Sequence, residues 1–413
     1  MMEAPLANHA GVSDVENVLI FVSDALRYDF LPERIRQRGV TARAVAPSTF
    51  TASALPSLLT GTYPATHRVW MFDDRLPERP PLLSADGRDV GFDASTVWID
   101  LEPREKPPLQ IHRMSSEATL SDLEPPFTHV VHDVGPHAPY GFENGVFEST
   151  KEFFSDYEND RSRLVELYRR DCKHSAERFL ELYERLSERG LLEDTLVVFT
   201  SDHGQALGER SNGGRFGHGH PMSPEIVDIP VVFMGAGLPE GERLPTLLSG
   251  TDIAPTALSA QGDRGPDLDG VDLWRGRPAG ERKPRSDVFQ HVEIDRPGIS
   301  AELTVYAATS AWNDRGGYVF HRKSRLQRCG AIAFDNLLRG YAPAWIHNAS
   351  LGDAAAMATL GLSGTLSFGT PEFTAEEARA VTPDSLSKRT DGEETIDLSE
   401  HQAEQLRNLG YIQ

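Results

Sequence analysis

The sequence predicts an α/β protein with a mostly parallel central sheet flanked by helices and a smaller C-terminal α+β subdomain. Three observations predict it. Short, continuous apolar runs recur between Asn17 and Gly235, each ending in polar or glycine residues. A long stretch of helical periodicity separates two of them. After about Gly262 the texture changes, with clustered Gly and Asp and then short strand-like runs. Continuous apolar runs suit strands buried on both faces, and strands alternating with helices form parallel sheets.

The first run, Asn17–Val22, reads NVLIFV and ends at Ser23 and Asp24. Similar runs follow at Thr128–Val134, Thr195–Ser201 and Pro230–Gly235. A long helix is expected over Ser162–Arg189, where Leu164, Leu167, Tyr168, Phe179, Leu182 and Leu186 recur mostly three or four residues apart. Gly190 is its stop. A shorter helix, Ala52–Leu59, begins at Thr51. Asp73–Gly91 and Leu101–Pro126, rich in Pro and charge, read as loops. Gly141–Arg161 mixes acids with Phe142, Phe147, Phe153, Phe154 and Tyr157 and reads as a loop over a site. Strand-like runs at Asp287–Ile294, Leu303–Ala308 and Gly317–His321 follow the Gly/Asp cluster that runs through Gly280. The expected division is an N-terminal extension (1–16), a catalytic domain (17–285) and a C-terminal subdomain (286–413), with no internal repeat.

Composition narrows the function. The 413 residues are 39% hydrophobic and 25% charged, which fits a globular fold and argues against disorder or a coiled coil. The net charge of −21 argues against nucleic-acid polymers and anionic membranes as partners, and an anion site needs local positive charge. Cys172 and Cys329 form neither a disulfide framework nor a CxxC metal motif. The first 17 residues have no apolar signal core, and no apolar run approaches the ~18 residues of a membrane span. A cytoplasmic protein is expected.

In open α/β sheets, ligands gather outside the carboxyl ends of strands. The first run ends in Asp24, the second gives Asp133 and His137, and the third gives Asp202 and His203. His218 and His220 follow in FGHGHP. Aspartate with neutral imidazole suits zinc or manganese. Taken singly, each is a common turn or cap residue, and only their convergence on one rim makes a site. Thr51 has two readings. A hydroxyl at a helix N-terminus meets free N–H groups and the positive dipole end, and it is also an ordinary N-cap. On local sequence the cap is the simpler reading.

The blocks NVLIFVSDALRYD, SLLTGTYPATHRV, GPHAPYG, LLEDTLVVFTSDHG and GHGHPMSPEIVDIPVVFMGAG resemble, in that order, the sulfatase branch of the alkaline phosphatase superfamily. The later LRNLGYI is similar to how many such proteins end. The resemblance is strong over residues 17–260 and implies an alkaline phosphatase-like fold. It also exposes departures. Sulfatases carry Cys or Ser in C-x-P-S-R-A-x-L-L-T-G, which becomes the formylglycine nucleophile. Here Thr51 stands at that position, with Ser53 for the Pro and Leu55 for the Arg, and Thr cannot give the aldehyde. The Gly-Lys-Trp-His block of sulfatases has no counterpart, and Gly135 replaces their Asp before Pro-His.

Asp133 and His137 instead resemble the pair used by nucleotide pyrophosphatase/phosphodiesterases and cofactor-independent phosphoglycerate mutases, which hold two metals and use Thr or Ser as nucleophile. That resemblance implies one metal on Asp24, Asp202, His203 and Thr51, and another on Asp133, His137 and His218, with His218 preferred to His220. Zinc or manganese is favoured, with calcium or magnesium for a single sulfatase-type site. Arg27, His67 and Arg68 are the expected contacts to a small anionic ester. The expected activity is phosphoester hydrolysis through Thr51. The alternatives are a sulfatase or a catalytically idle binding homologue.

Overall fold

The structure is a computed structural model. It describes residues 4–84, 87–98, 101–141, 149–263, 267–278, 281–296, 299–388 and 395–411.

The strands, in chain order, are β1 (Asn17–Ser23), β2 (Val40–Val45), β3 (Asp89–Asp93), β4 (Phe127–Asp133), β5 (Thr195–Thr200), β6 (Ala206–Leu207), β7 (Phe216–Gly217), β8 (Asp228–Gly235), β9 (Glu242–Arg243), β10 (Leu248–Ser249), β11 (Arg285–Arg296), β12 (Ile299–Asn313), β13 (Gly316–His321) and β14 (Thr365–Gly369). The main sheet runs β10-β2-β8-β5-β1-β4-β3, with β9 paired to β2. β1 lies parallel to both β4 and β5, and only β8 runs against its neighbours β2 and β5. The four apolar runs read from the sequence are therefore β1, β4, β5 and β8. β2 and β3 lack a continuous apolar run, and their pattern gave no signal.

Both faces of this sheet are covered. The Arg161–Glu188 helix begins at Asp160, whose side chain accepts from Arg163 N. Its apolar stripe packs on β1 and β5. The Phe179 ring meets Phe21 at 5.4 Å and Phe199 at 5.0 Å, and all three are buried. Removing a ring from such a cluster costs about 3–5 kcal/mol. The opposite face carries the Thr51–Thr60 and Ile253–Ala260 helices. The Thr51–Thr60 helix ends on Gly61 at φ 71°, whose N–H returns to Ser57 O at 3.0 Å. Only glycine adopts that left-handed backbone freely.

The C-terminal part forms an antiparallel sheet, β11-β12-β13-β14, with the Arg325–Leu338, Ala342–Asn348 and Leu351–Leu362 helices inserted between β13 and β14. It joins the main sheet through shared packing of Val45 with Val288, Tyr306 and Ala308. Residues 395–411 then leave this sheet. Ile396, Leu406, Leu409 and Tyr411 are buried in the main core. No described helix is long and apolar enough to cross a membrane.

Candidate functional site

The ends of β1, β4 and β5 converge at one rim of the main sheet. Beyond β1 the chain turns sharply at Ala25, at φ 62°. Ala25 N donates to Asp202 Oδ1 at 3.1 Å and Leu26 N to Ser201 Oγ at 2.8 Å. These bonds lock the β1 turn to the β5 turn and set Asp24 beside Asp202. Gly135 lets the β4 turn approach. A Cβ there would lie 2.3 Å from Asp24 O and 2.6 Å from Asp24 N. The absence of a side chain at position 135, which departs from the sulfatase pattern, is thus required by backbone contact.

Asp24, Asp202 and His203 are fully buried. Asp24 Oδ1 and Asp202 Oδ2 have no hydrogen-bond partner. One donor atom from each of the three residues lies within 4.8 Å of the others. His203 Nδ1 donates to Gly204 O at 2.9 Å, which leaves Nε2 with a lone pair. Two buried carboxylate oxygens and an imidazole lone pair facing one another are a poor arrangement without a cation and a good donor set with one. Burial, and then the Asp24 charge, push the Asp202 carboxyl up. Burial alone would also raise Asp24, but His137, His132 and His203 outweigh it and hold Asp24 below the usual carboxylate range.

Thr51 is the first helical residue, and Phe50 occupies the N-cap position. The cap reading of Thr51 therefore fails: its hydroxyl faces the site instead of its own helix. Oγ1 lies 3.1 Å from His203 Nε2 and 3.5 Å from Asp24 Oδ2. His218 completes the far side. Its Nδ1 donates to Thr49 O at 3.1 Å, and its Nε2 lies 3.1 Å from His137 Nε2. Its ring stacks on His203 at 4.3 Å. Burial first, then His203 and His137, push the His218 pKa well down, so it is neutral and able to accept.

Of the residues expected from sequence, the structure brings Asp24, Thr51, His137, Asp202, His203 and His218 together. His220 turns away to accept from Arg215 Nη1 at 2.8 Å and to stack on Tyr306. Asp133 also lies elsewhere. Its Oδ1 accepts from Ser175, Gly135 N and Arg178, and its Oδ2 from Arg178 Nε at 2.5 Å. The cause is strand parity. Ser23 and Asp133 are paired neighbours that both point to the Arg161–Glu188 helix, and the residue before Asp133 points to the other face. That residue is His132, whose Nε2 donates to Asp24 Oδ2 at 3.2 Å. Burial alone would lower His132, but the Asp24 carboxylate reverses this and raises its pKa.

The three expected substrate contacts have these surroundings. Arg27 is paired with Asp29 and Glu209. His67 donates from Nε2 to Ser57 at 2.8 Å and braces the Thr51–Thr60 helix. Arg68 is exposed. A narrow pocket opens beside His218, lined also by Phe50, Arg215, Phe216, Gln290, Arg339, Tyr341 and Gly410. Its two arginines are a local concentration of positive charge in an acidic chain. The expected loop over the site is only partly visible here: Phe142 and Phe147 lie outside the described residues, and Phe153 and Phe154 are buried against Tyr140 and Tyr341. Tyr411 was not anticipated. Its hydroxyl donates to Asp24 Oδ2 at 2.5 Å, and its ring lies 4.6 Å from that of His137.

Solved structures share this fold. A phosphonate monoester hydrolase of Agrobacterium radiobacter aligns over 74% of this chain and 87% of its own, with a TM-score of 0.54 and 17% identity. A 2-O GAG sulfatase aligns over 75% and 83%, with a TM-score of 0.58 and 14% identity. The fold is thus of the alkaline phosphatase-like α/β class. The Sulfatase family model matches residues 113–262. The low-salt glycan biosynthesis sulfotransferase Agl7 of Haloferax volcanii is 45% identical over 425 residues, covering all of both chains. The chain belongs to the sulfatase family of the alkaline phosphatase superfamily.

Proposed function

We propose that this protein takes the sulfuryl group of a sulfate ester onto Thr51 and passes it to water or to an acceptor alcohol. The observation that carries this reading is the Thr51 hydroxyl, held between His203 Nε2 and Asp24 Oδ2 at the start of a helix. The full-length likeness to a protein named as a glycan sulfotransferase supports sulfuryl over phosphoryl and a saccharide as the alcohol part.

One divalent cation, zinc or manganese by its donor set, would be held by Asp24, Asp202 and His203. Bound there, it would lower the pKa of a neighbouring hydroxyl and neutralise the oxygens of the ester. The Thr51 oxygen forms the new bond to sulfur as the bond from sulfur to the ester oxygen breaks, and the Thr51 proton has Asp24 Oδ2 within reach. With the anionic ester bound, the facing His137 and His218 pair carries one added proton; the leaving oxygen takes it and both imidazoles are left neutral. In the second half, water or an alcohol attacks the sulfated Thr51, a neutral imidazole of the pair takes up its proton, and the departing Thr51 oxygen recovers its own proton from Asp24. The free N–H groups of the first helical turn face the anion. Arg215 and Arg339, in the pocket beside His218, draw the ester in.

The phosphoester reading rests on a second cation. Asp133, which would supply its only carboxylate, is saturated by Arg178, Ser175 and Gly135. What still favours that reading is the facing Nε2 pair of His137 and His218. A phosphodiester or phosphonate monoester carries the same single charge as a sulfate ester. The test is a nitrophenyl panel of sulfate, phosphate monoester, phosphodiester and phosphonate, with cation content measured alongside. Sulfate turnover with one cation per chain supports the proposal. Phosphodiester or phosphonate turnover with two overturns it in favour of the second reading.

A further inference from the structure

The structure leaves nine large apolar side chains exposed among the described residues, and seven lie between Leu326 and Leu362. Leu351 is 93% exposed, Leu326 85% and Leu338 71%. This is a face, and it has a simple cause. The Arg325–Leu338 and Leu351–Leu362 helices pack on each other through Cys329 and Ile332 against Gly361, and through Asn336 against Met357. Arg328 ties them together by donating to Gly361 O at 3.2 Å and Leu362 O at 3.1 Å. The opposite sides are then left outward. Beyond the first turn of the first helix, its exposed described positions are Gly330, Ala333, Phe334, Leu337 and Leu338. In the second they are two leucines, three alanines and Thr359. A solvated helix face carries charged residues at such positions, and a contiguous apolar patch marks an interaction surface.

Charge identifies the partner. Of the described charged residues between 322 and 362, those that are not buried are Arg322, Lys323, Arg325 and Arg339 against Asp353, an excess of positive charge within a chain of −21. The whole-chain charge argues against an anionic lipid surface, but charges more than about 8 Å away are largely screened at physiological salt. The local sign therefore governs docking. A second copy of this chain would bring the same positive face against itself. An anionic bilayer complements it, offering hydrocarbon to the leucines and phosphates to the cations.

We propose that this face docks on an anionic lipid bilayer, with the two helices in the headgroup layer and Lys323 and Arg325 at its rim. Arg339 and Tyr341, just past the first helix, line the pocket beside His218, so docking would set the pocket mouth next to the lipid surface. The inference does not depend on which ester is cleaved.

The test is flotation of the full chain with vesicles of phosphatidylcholine containing phosphatidylglycerol, and with pure phosphatidylcholine. Binding to the anionic vesicles is expected, weakened by added salt. The Leu337→Ser/Leu338→Ser variant should lose about tenfold or more in bound fraction. The Lys323→Gln/Arg325→Gln variant should lose several-fold, on anionic vesicles only. Both should keep their circular dichroism spectrum and their turnover of a soluble ester. No binding of the unmodified chain, or binding indifferent to the leucine pair, overturns the proposal. So does a dimer that the leucine variant abolishes while vesicles are ignored, which would assign the face to a second copy.

Discussion

Tyr411 reaches back across 387 residues of chain to donate its hydroxyl to Asp24 Oδ2 at 2.5 Å. Asp24 is thereby divided. Oδ2 is held by Tyr411 and His132, and Oδ1 is left to face Asp202 and His203. A carboxylate oriented in this way presents one fixed oxygen to a cation. Tyr411→Phe keeps the ring stacked against Trp98 and His137 and removes only the hydroxyl. It should weaken cation binding and turnover by about 10- to 100-fold with little change in thermal stability. Cation titration with parallel kinetics checks this. Unchanged affinity would reduce Tyr411 to packing.

Asp133 separates the one-cation and two-cation accounts. Asp133→Asn weakens its bonds to Arg178 and Ser175, and should cost about 2 kcal/mol of stability while cation content stays unchanged. Urea unfolding and elemental analysis of the same preparation read both. Loss of half the bound cation, with stability intact, would restore Asp133 as a ligand.

Asp202→Asn should act the other way. It removes one of two adjacent buried charges, the one that burial and Asp24 push up, so the fold should hold or gain slightly without cation. Cation affinity should fall by orders of magnitude, and turnover with it. Calorimetric titration and thermal unfolding with and without chelator measure the two effects.

Stability should fall on mild acidification. Burial holds His112 and His129, both fully buried, down to about 4 from an ordinary value of 6.5. Each binds its proton more readily in the unfolded chain. The neutral fold is favoured in full above pH 6.5, and this contribution is lost as pH falls from 6.5 toward 4. Each contributes roughly 2 kcal/mol of loss between pH 7 and pH 5. Asp228 and Asp287, pushed up to about 6 by burial, act oppositely, favouring the fold at lower pH and losing that contribution as pH rises through 6. His129→Gln should flatten the acid loss, as read by urea unfolding at both pH values.

Much of the site was legible in the sequence because strand ends in an α/β sheet have one destination. A polar residue after a continuous apolar run marks the rim, and Asp24, Asp202 and His203 were found that way. Asp133 and His132 were not separable by the same signal. Both end β4, and only the parity of one residue decides which faces Asp24 and which faces Ser175 and Arg178. Thr51 was ambiguous because cap and nucleophile use the same residue at a helix start, and only the position of Phe50 removes the cap reading. Tyr411, Arg215 and Arg339 were invisible for another reason. They reach the site through tertiary packing of distant segments, which no local periodicity encodes. The division at residue 286 had the same weakness: the C-terminal sheet begins at Arg285 as the texture suggested, but residues 395–411 return to the main core.

The central claim is that Thr51 carries the transferred group, and the most direct measurement is the mass of the peptide containing it. The enzyme is mixed with a fast sulfate ester, quenched in acid within one turnover and digested. A peptide heavier by one SO3 group is expected, with fragmentation placing it on Thr51 and not on Ser53 or Ser57. The adduct should be absent in Thr51→Ala, which should also lose several orders of magnitude in turnover. Thr51→Ser should form it and keep partial activity. Full turnover by Thr51→Ala with no adduct on any residue would contradict the account and pass the attack to water.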